Sequence, residues 1–387
     1  MRIAFVSDGI SPYVLGGMQR HSFNLVRSLA ERGISIDLYH TDKGSGEDIH
    51  QLEGIPEWAK SNIHSIRIPW PTTDRFPGHY LRELKVYSAK CLEVFSARPT
   101  VDFIYSKGLT GQAFIDRKQQ DPASLPPVGL KAHGYEMFQR PPDLKSRLQF
   151  QLLKRPFKSY SQKADLVFSY GGKITTILED KLDIPREKIA EIPGAVGEEW
   201  IGAQPEAIPE PKRRFVFLGR FERRKGILEL HNVITRHPEW QEQASFSFIG
   251  PIPESSQLQL PHVTYYGKIS EYKEIVALLK KHEVIITPSH SEGMPNVIME
   301  GMASGLTPIA TDVGAVAMLV EKKTGILIPP SDTIKLTEAI QETIDTPSDI
   351  LLQKRVASHL KITQSFTWDV VAEKNIMAIT SFLGNAS

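Results

Sequence analysis

The chain alternates short apolar runs with amphipathic stretches, and the alternation starts twice. Ile3-Ala4-Phe5-Val6 ends at Ser7-Asp8, and a Pro/Gly loop follows from Gly9 to Gly17. Met18, Ser22, Leu25, Val26 and Leu29 then recur at helical spacing, and Gly33 supplies a stop. Ile34-Ser35-Ile36-Asp37-Leu38-Tyr39 reads as the next strand. Strands joined through a helix lie parallel, so a parallel sheet is implied. Phe103-Ile104-Tyr105, Val128-Gly129-Leu130 and Leu166-Val167-Phe168 extend it.

The pattern then pauses in a polar stretch holding Pro205, Pro209 and Pro211, and restarts at Phe215-Val216-Phe217-Leu218-Gly219. Phe246–Gly250, Val263–Tyr266, Val284–Ile286, Pro308–Ala310 and Gly325–Ile328 continue this second series. A length of 387 residues suits two domains, each able to bury its own core. Two successive doubly wound α/β domains are the simplest account, with ligands beyond the carboxyl ends of the strands and a cleft between the domains.

Charge and cysteine content narrow the function. Lys+Arg number 46 and Asp+Glu 45, so no global field draws the chain to nucleic acid. The single cysteine, Cys91, forms no intramolecular disulfide and no zinc site, which fits a reducing compartment. No apolar stretch is long enough to span a bilayer, and the first residues read as a strand rather than a signal peptide. A cytoplasmic protein is expected, with any membrane contact peripheral. One local excess stands out: Lys131 to Lys163 holds eight basic residues against Glu136 and Asp143, with Phe138, Leu144, Leu148, Phe150, Leu152, Leu153 and Phe157 interleaved. Such a segment suits either an anionic membrane surface or lipid-linked acceptor, or a solvated amphipathic helix packed on the sheet.

Four segments carry candidate chemistry. In Ser289-His290-Ser291-Glu292-Gly293-Met294-Pro295-Asn296-Val297-Ile298-Met299-Glu300, Pro295 is placed as the first residue of a helix ending near Ser304-Gly305. The amides of Gly293 and Met294 would then face an anion, with Glu292 and Glu300 offering carboxylates to the same cleft. The alternative is that Glu292 caps the helix and Glu300 is solvated. In Gly219-Arg220-Phe221-Glu222-Arg223-Arg224-Lys225-Gly226, Arg220 and Lys225 could straddle a diphosphate, or the whole could be a basic loop. Arg223 and Arg224 read as solvated. Gly16-Gly17 lets backbone approach a ligand but lacks the G-x-G-x-x-G spacing of a dinucleotide site. His133-Gly134 follows a strand end, where a His is either structural or a sugar contact. Glu191-Ile192-Pro193-Gly194 reads as an inter-domain hinge or an ordinary turn.

Together these segments resemble the retaining glycosyltransferases of family 4, which have the GT-B fold, over nearly the whole chain. The E-x7-E spacing of Glu292 and Glu300 is the most specific element; Gly301-Met302-Ala303-Ser304-Gly305 and Thr311-Asp312-Val313-Gly314 also match. The chain departs from the family at Pro193-Gly194-Ala195, where Pro-Asn-Gly is usual, at Gly197 in place of an Asp, and at Met318 in place of an acid.

The resemblance implies two Rossmann-like domains facing a central cleft. Residues 1–196 would bind the acceptor and 197–365 the nucleotide-sugar; 366–387 would cross back to the first domain, from Phe366-Thr367-Trp368 onward. The reaction implied is retaining transfer from a nucleotide-sugar, by family frequency a UDP-sugar, to a saccharide or lipid-linked acceptor in cell-surface polysaccharide or glycolipid synthesis. An epimerase or phosphorylase on this fold, or a non-catalytic sugar-nucleotide binder, are the alternatives. His133, Arg220, Lys225 and Glu292 would be catalytic. Gly16, Gly17, Gly219, Ser289, Gly293, Met294, Pro295, Asn296 and Glu300 would bind substrate, Glu300 through the ribose. No metal and no cofactor is expected, since Asp-x-Asp under a diphosphate is missing and basic groups could carry its charge.

Overall fold

In the computed structural model, residues 1–42, 54–72, 76, 78–208 and 211–386 are described. Pro209 of the proline-rich stretch and the terminal Ser387 lie outside them.

The first sheet has seven parallel strands: β1 (Arg2–Val6), β2 (Ser35–His40), β3 (Ile63–Arg67), β4 (Phe103–Lys107), β5 (Val128–Lys131), β6 (Leu166–Ser169) and β7 (Ile189–Glu191), in the order 3-2-1-4-5-6-7. The second has six: β8 (Arg213–Leu218), β9 (Ala244–Ile249), β10 (Val263–Gly267), β11 (Val284–Thr287), β12 (Thr307–Thr311) and β13 (Ile326–Ile328), in the order 10-9-8-11-12-13. Each order reverses at its central strands, so the chain is two Rossmann-like α/β units of the GT-B type. Helices cover both faces of such sheets, which is why the central strands are apolar throughout: Ile3, Ala4, Phe5 and Val6 are all fully buried.

Strands β3 and β7 are additions to the sequence reading. Both are edge strands. Only Ile63 and Ile66 of β3 are buried, and β7 is three residues long, so neither leaves an apolar run in the sequence.

The units are closed on each other. One apolar cluster contains Tyr135, Tyr170 and Ile174 of the first and Met294, Val313 and Ala315 of the second. The chain passes between them twice, side by side. Val196 N donates to Phe366 O at 2.9 Å, and Val196 forms an isolated parallel bridge with Thr367. The Ser348–Ser365 helix packs on the second unit. The next helix, Trp368–Ala386, packs on the Gly17–Ala30 helix of the first, with Trp368, Val371, Ala372 and Ile379 in its core. Arg32 pairs with Asp369 at 2.6 Å. Among the described residues no helix is long and apolar enough to cross a membrane.

Trp368 is 6% exposed and sets its ring edge-on to His21, centroids 5.1 Å apart. Truncation to Ala should cost about 3–5 kcal/mol in chemical denaturation, whereas Met377→Ala on the outer face of the same helix should stay within about 0.5 kcal/mol.

Candidate functional site

The loops after β8, β11 and β12 face the loops after β1, β5 and β6 across the cleft. After β8 the chain makes a tight 3-10 turn, Arg223–Lys225, ended by Gly226 at φ 69°. A Cβ at Gly226 would sit 1.9 Å from Pro288 O, so only glycine lets this turn lie against the β11 loop. The turn is then bolted down. Arg223 donates to Glu229 Oε2 and His290 Nε2, both at 2.7 Å, and Ser331 Oγ lies 2.9 Å from His290 Nδ1. Burial alone would raise the Glu229 carboxyl, but His290 and Arg223 overrule it and hold it at about 2.

This anchoring delivers two cations to Glu292. Lys225 Nζ donates to Oε1 at 2.7 Å, and Arg224 donates to Oε2 at 3.1 Å. Glu292 is 6% exposed; burial pushes its carboxyl up, yet Lys225 and Arg224 together keep it below the ordinary range. It is a buried, charged and paired carboxylate. The reading of Arg224 as solvated is therefore corrected: the 3-10 turn points it inward to Glu292, while Arg223 stays exposed and spends its guanidinium on Glu229 and His290. Arg220 is not brought to this cluster. Its side chain is 69% exposed and pairs with Glu222 at 3.0 Å.

Helix Asn296–Ala303 follows the β11 loop, with Pro295 as its N-cap rather than its first helical residue. Met294 is buried, and its sulfur lies 3.0 Å from the amide of Gly194 across the cleft. A Cβ on Gly293 would come within 1.8 Å of His133 O, so the His133–Gly134 turn sits directly on this loop. Ser289 is fully buried, and its carbonyl accepts from Thr311 Oγ1. Asn296 is exposed, and the Gly16–Gly17 loop faces its amide. Gly219 follows β8, and its carbonyl packs under Gly250.

Glu300 lies about one turn into the same helix. It shares a cavity of about 20 Å³ with Arg20, Asn24, Glu199, Asn296 and Trp368. Burial raises its carboxyl to about 7; Glu199 adds to this, while Arg20 and Lys225 oppose it. Lys225 thus acts on both carboxylates of the E-x7-E pair.

Opposite lies a cavity of about 180 Å³ in the first unit, lined among others by Asp8, Met18, Tyr80, Lys107, His133, Glu136 and Phe157. His133 Nδ1 lies 2.9 Å from the Tyr170 hydroxyl, and burial holds its imidazole well below its usual range. Gln139 closes the cleft: its Nε2 donates to Glu292 O at 2.6 Å, and its Oε1 accepts from Glu292 N at 3.3 Å. Sequence reasoning missed Gln139, Arg224, Lys107 and His290. Gln139 and His290 leave no pattern in the sequence, and Lys107 leaves only the trace of a lysine ending an apolar strand.

The residues described form no group of three or more His, Cys, Asp or Glu placed to hold a metal ion.

The two parallel sheets closed on each other have the GT-B fold. Residues 15–200 match the family described as Glycosyltransferase Family 4, and residues 212–346 match Glycosyl transferases group 1. The chain belongs to the glycosyltransferases of family 4. It is 34% identical over 133 residues to TuaC of Bacillus subtilis (strain 168), a protein named for teichuronic acid biosynthesis; the match covers 34% of this chain and only 33% of TuaC. Among solved structures it resembles sucrose-phosphate synthase from Thermosynechococcus elongatus, with a TM-score of 0.74 and 21% identity over 100% of both chains. It also resembles HepE of Anabaena, solved with UDP and glucose, with a TM-score of 0.67 and 15% identity over 98% of this chain and 100% of that one. Likenesses at such identities establish the fold.

Glu300→Gln removes one titration. The Glu300 carboxyl holds its proton more tightly folded than unfolded, so the parent should lose stability relative to the variant as pH rises from 4.5 to about 7. Denaturation near pH 5 and pH 8 should show a relative loss of up to about 3 kcal/mol.

Proposed function

We propose that this protein is a retaining glycosyltransferase that moves a sugar from a nucleotide-sugar, a UDP-sugar by preference, to a hydroxyl acceptor of a cell-surface polysaccharide or glycolipid. The observation that carries the reading is Glu292, buried and anionic under Lys225 and Arg224, where the second unit closes on His133–Gly134. HepE with UDP and glucose, and the naming of TuaC, supply the donor and pathway class by analogy.

In this reading residues 1–196 hold the acceptor, 197–365 hold the donor, and 366–387 tie the two together. Lys225, with Arg220 swung in from solvent, neutralises the charge that grows on the leaving diphosphate. The acceptor hydroxyl attacks C1 on the face the diphosphate leaves. A diphosphate oxygen takes the hydroxyl proton, the C1–O bond to phosphate breaks as the new C1–O bond forms, and the anomeric configuration is kept. Glu292 holds hydroxyls of the transferred sugar, His133 holds the acceptor beside it, and Glu300 and Asn296 hold the ribose side. Gly16, Gly17, Gly219, Ser289, Gly293, Met294 and Pro295 shape the walls. The cations make a metal under the diphosphate unnecessary.

Calorimetry with nucleoside diphosphate, and rates measured in chelator, test these roles. Lys225→Ala should lower kcat about 10–100-fold. Glu300→Ala should weaken nucleoside diphosphate binding and raise the donor KM, while Glu292→Ala should leave that binding nearly unchanged as transfer falls. Parent rates in both Glu variants, or activity abolished by chelator and restored by Mg²⁺ or Mn²⁺, would refute the assignment.

We also place the protein in the cytoplasm, resting on an anionic membrane through the Leu144–Lys163 helix. This helix is about 30 Å long, contains six cations and no acid, and has one fully buried residue, Ser161. Leu144, Leu148 and Leu152 form an exposed stripe one turn apart, at 75%, 72% and 54% exposure. Leu153 and Phe157, from the other side of the same helix, line the acceptor cavity. An apolar stripe flanked by exposed Lys145, Arg147 and Arg155 fits an acidic lipid surface. Vesicles containing acidic lipid should retain the protein, salt should release it, and Leu148→Glu with Arg147→Glu should abolish retention. Equal retention by neutral vesicles would count against the assignment.

A further inference from the structure

The strand ends under the acceptor cavity hold more buried base than the reaction described above uses. Lys107, the last residue of β4, is 5% exposed and lines the cavity. Its ammonium has one hydrogen-bond partner, His21 Nδ1 at 3.2 Å, and among the described residues no carboxylate lies within ion-pair distance of it. Burial brings it down to about 7, with Asp8 opposing. Lys131, close by, differs: it donates to Ile192 O at 2.9 Å and sits 3.8 Å over the Tyr170 ring, so its role is structural. His133 lines the cavity too. With Nδ1 engaged by the Tyr170 hydroxyl, its buried Nε2 has no partner. A buried ammonium with a single neutral partner is costly unless a ligand completes it.

We infer that Lys107 is a specificity-determining residue that receives an anionic group, a carboxylate or a phosphate, carried by the acceptor sugar. The inference rests on the reading of this cavity as the acceptor site. The other charged groups at the cavity sharpen the choice. Asp8 and Glu136 are carboxylates suited to hydroxyls, and Asp8 also acts on Lys107, favouring its charged form. His133 Nε2 offers a second donor to the same acceptor-rich ligand. Met18, Tyr80, Leu109, Met137, Leu153 and Phe157 form the apolar remainder, which suits a sugar face.

Proton linkage gives the site a signature. Above neutral pH Lys107 is largely uncharged, and an arriving anion would recharge it. The groups that face it are Asp8 after β1, His21 on the Gly17–Ala30 helix, Lys131 and His133 around β5, Glu136 beyond them and Tyr170 after β6. Both histidines are held well below their usual range by burial and by Lys107, so they stay neutral there. Binding near pH 8 should therefore take up close to one proton, and binding near pH 6 almost none.

The experiment uses the full chain with UDP or GDP, whichever binds, at saturation, so that the cations near Glu292 are already occupied. Glucose, glucuronic acid and glucose 6-phosphate are titrated by calorimetry in two buffers of different ionisation enthalpy. At least one charged sugar should bind about tenfold or more tightly than glucose, and the comparison of glucuronic acid with glucose 6-phosphate decides between carboxylate and phosphate. Lys107→Met should erase both the preference and the proton uptake while nucleoside diphosphate affinity holds, which also shows that the variant is folded; Lys107→Gln serves if Met does not fold. Charged sugars no tighter than glucose, or a preference that survives loss of Lys107, would overturn the inference. Loss of nucleoside diphosphate binding by the parent would instead strike the glycosyltransferase reading.

Discussion

The contact on which the rest depends is the clamp on Glu292. A carboxylate this deep would ordinarily take up a proton. Two cations from one short turn prevent that, and they reach it because Gly226 lets the turn touch Pro288 and because Arg223, Glu229, His290 and Ser331 hold it there. The same residue is gripped through its backbone by Gln139 from the opposite unit. Charge balance within the second unit and closure against the first are therefore settled at one amino acid. Removing both cations would leave an uncompensated buried charge, whereas removing one leaves a single ion pair.

The parallel sheets were legible because their central strands are buried on both faces and read as apolar runs. The edges were not. β3 buries two isoleucines, and β7 is a three-residue strand, Ile189–Glu191, with one buried residue. The helix Asn296–Ala303 was legible from Pro295 and Ser304-Gly305, to within one residue. What escaped is of one kind. Arg220, Arg223 and Arg224 are the same residue type within five positions, and which of them turns inward is decided by a 3-10 turn and by partners some 67 positions further along the chain. Gln139 acts at a sequence distance of 153 residues. Local pattern carries no information at that range; only packing supplies it.

The two cavities divide the polar chemistry between them. Around Glu300 a carboxyl is held half-neutral by burial beside Glu199, with Arg20 from the opposite unit as its counterweight. Around Lys107 an amine is held half-neutral by burial beside His21. One is a base and the other an acid, and burial favours the neutral form of each.

The paired crossings at Val196 and Phe366 have a mechanical corollary. Two strands of chain joined by a hydrogen bond at one place leave the units a single line about which to rotate, as a lid turns on its pin. Ala195, Val196, Gly197 and Trp368, which make that pin, also wall the Glu300 cavity. Points on an axis barely travel, whereas points far from it sweep. Rotation would thus leave the surroundings of Glu300 almost unchanged while parting Gln139 from Glu292. A molecule seated by Glu300 could stay in place while the opposite wall of the cleft is exchanged.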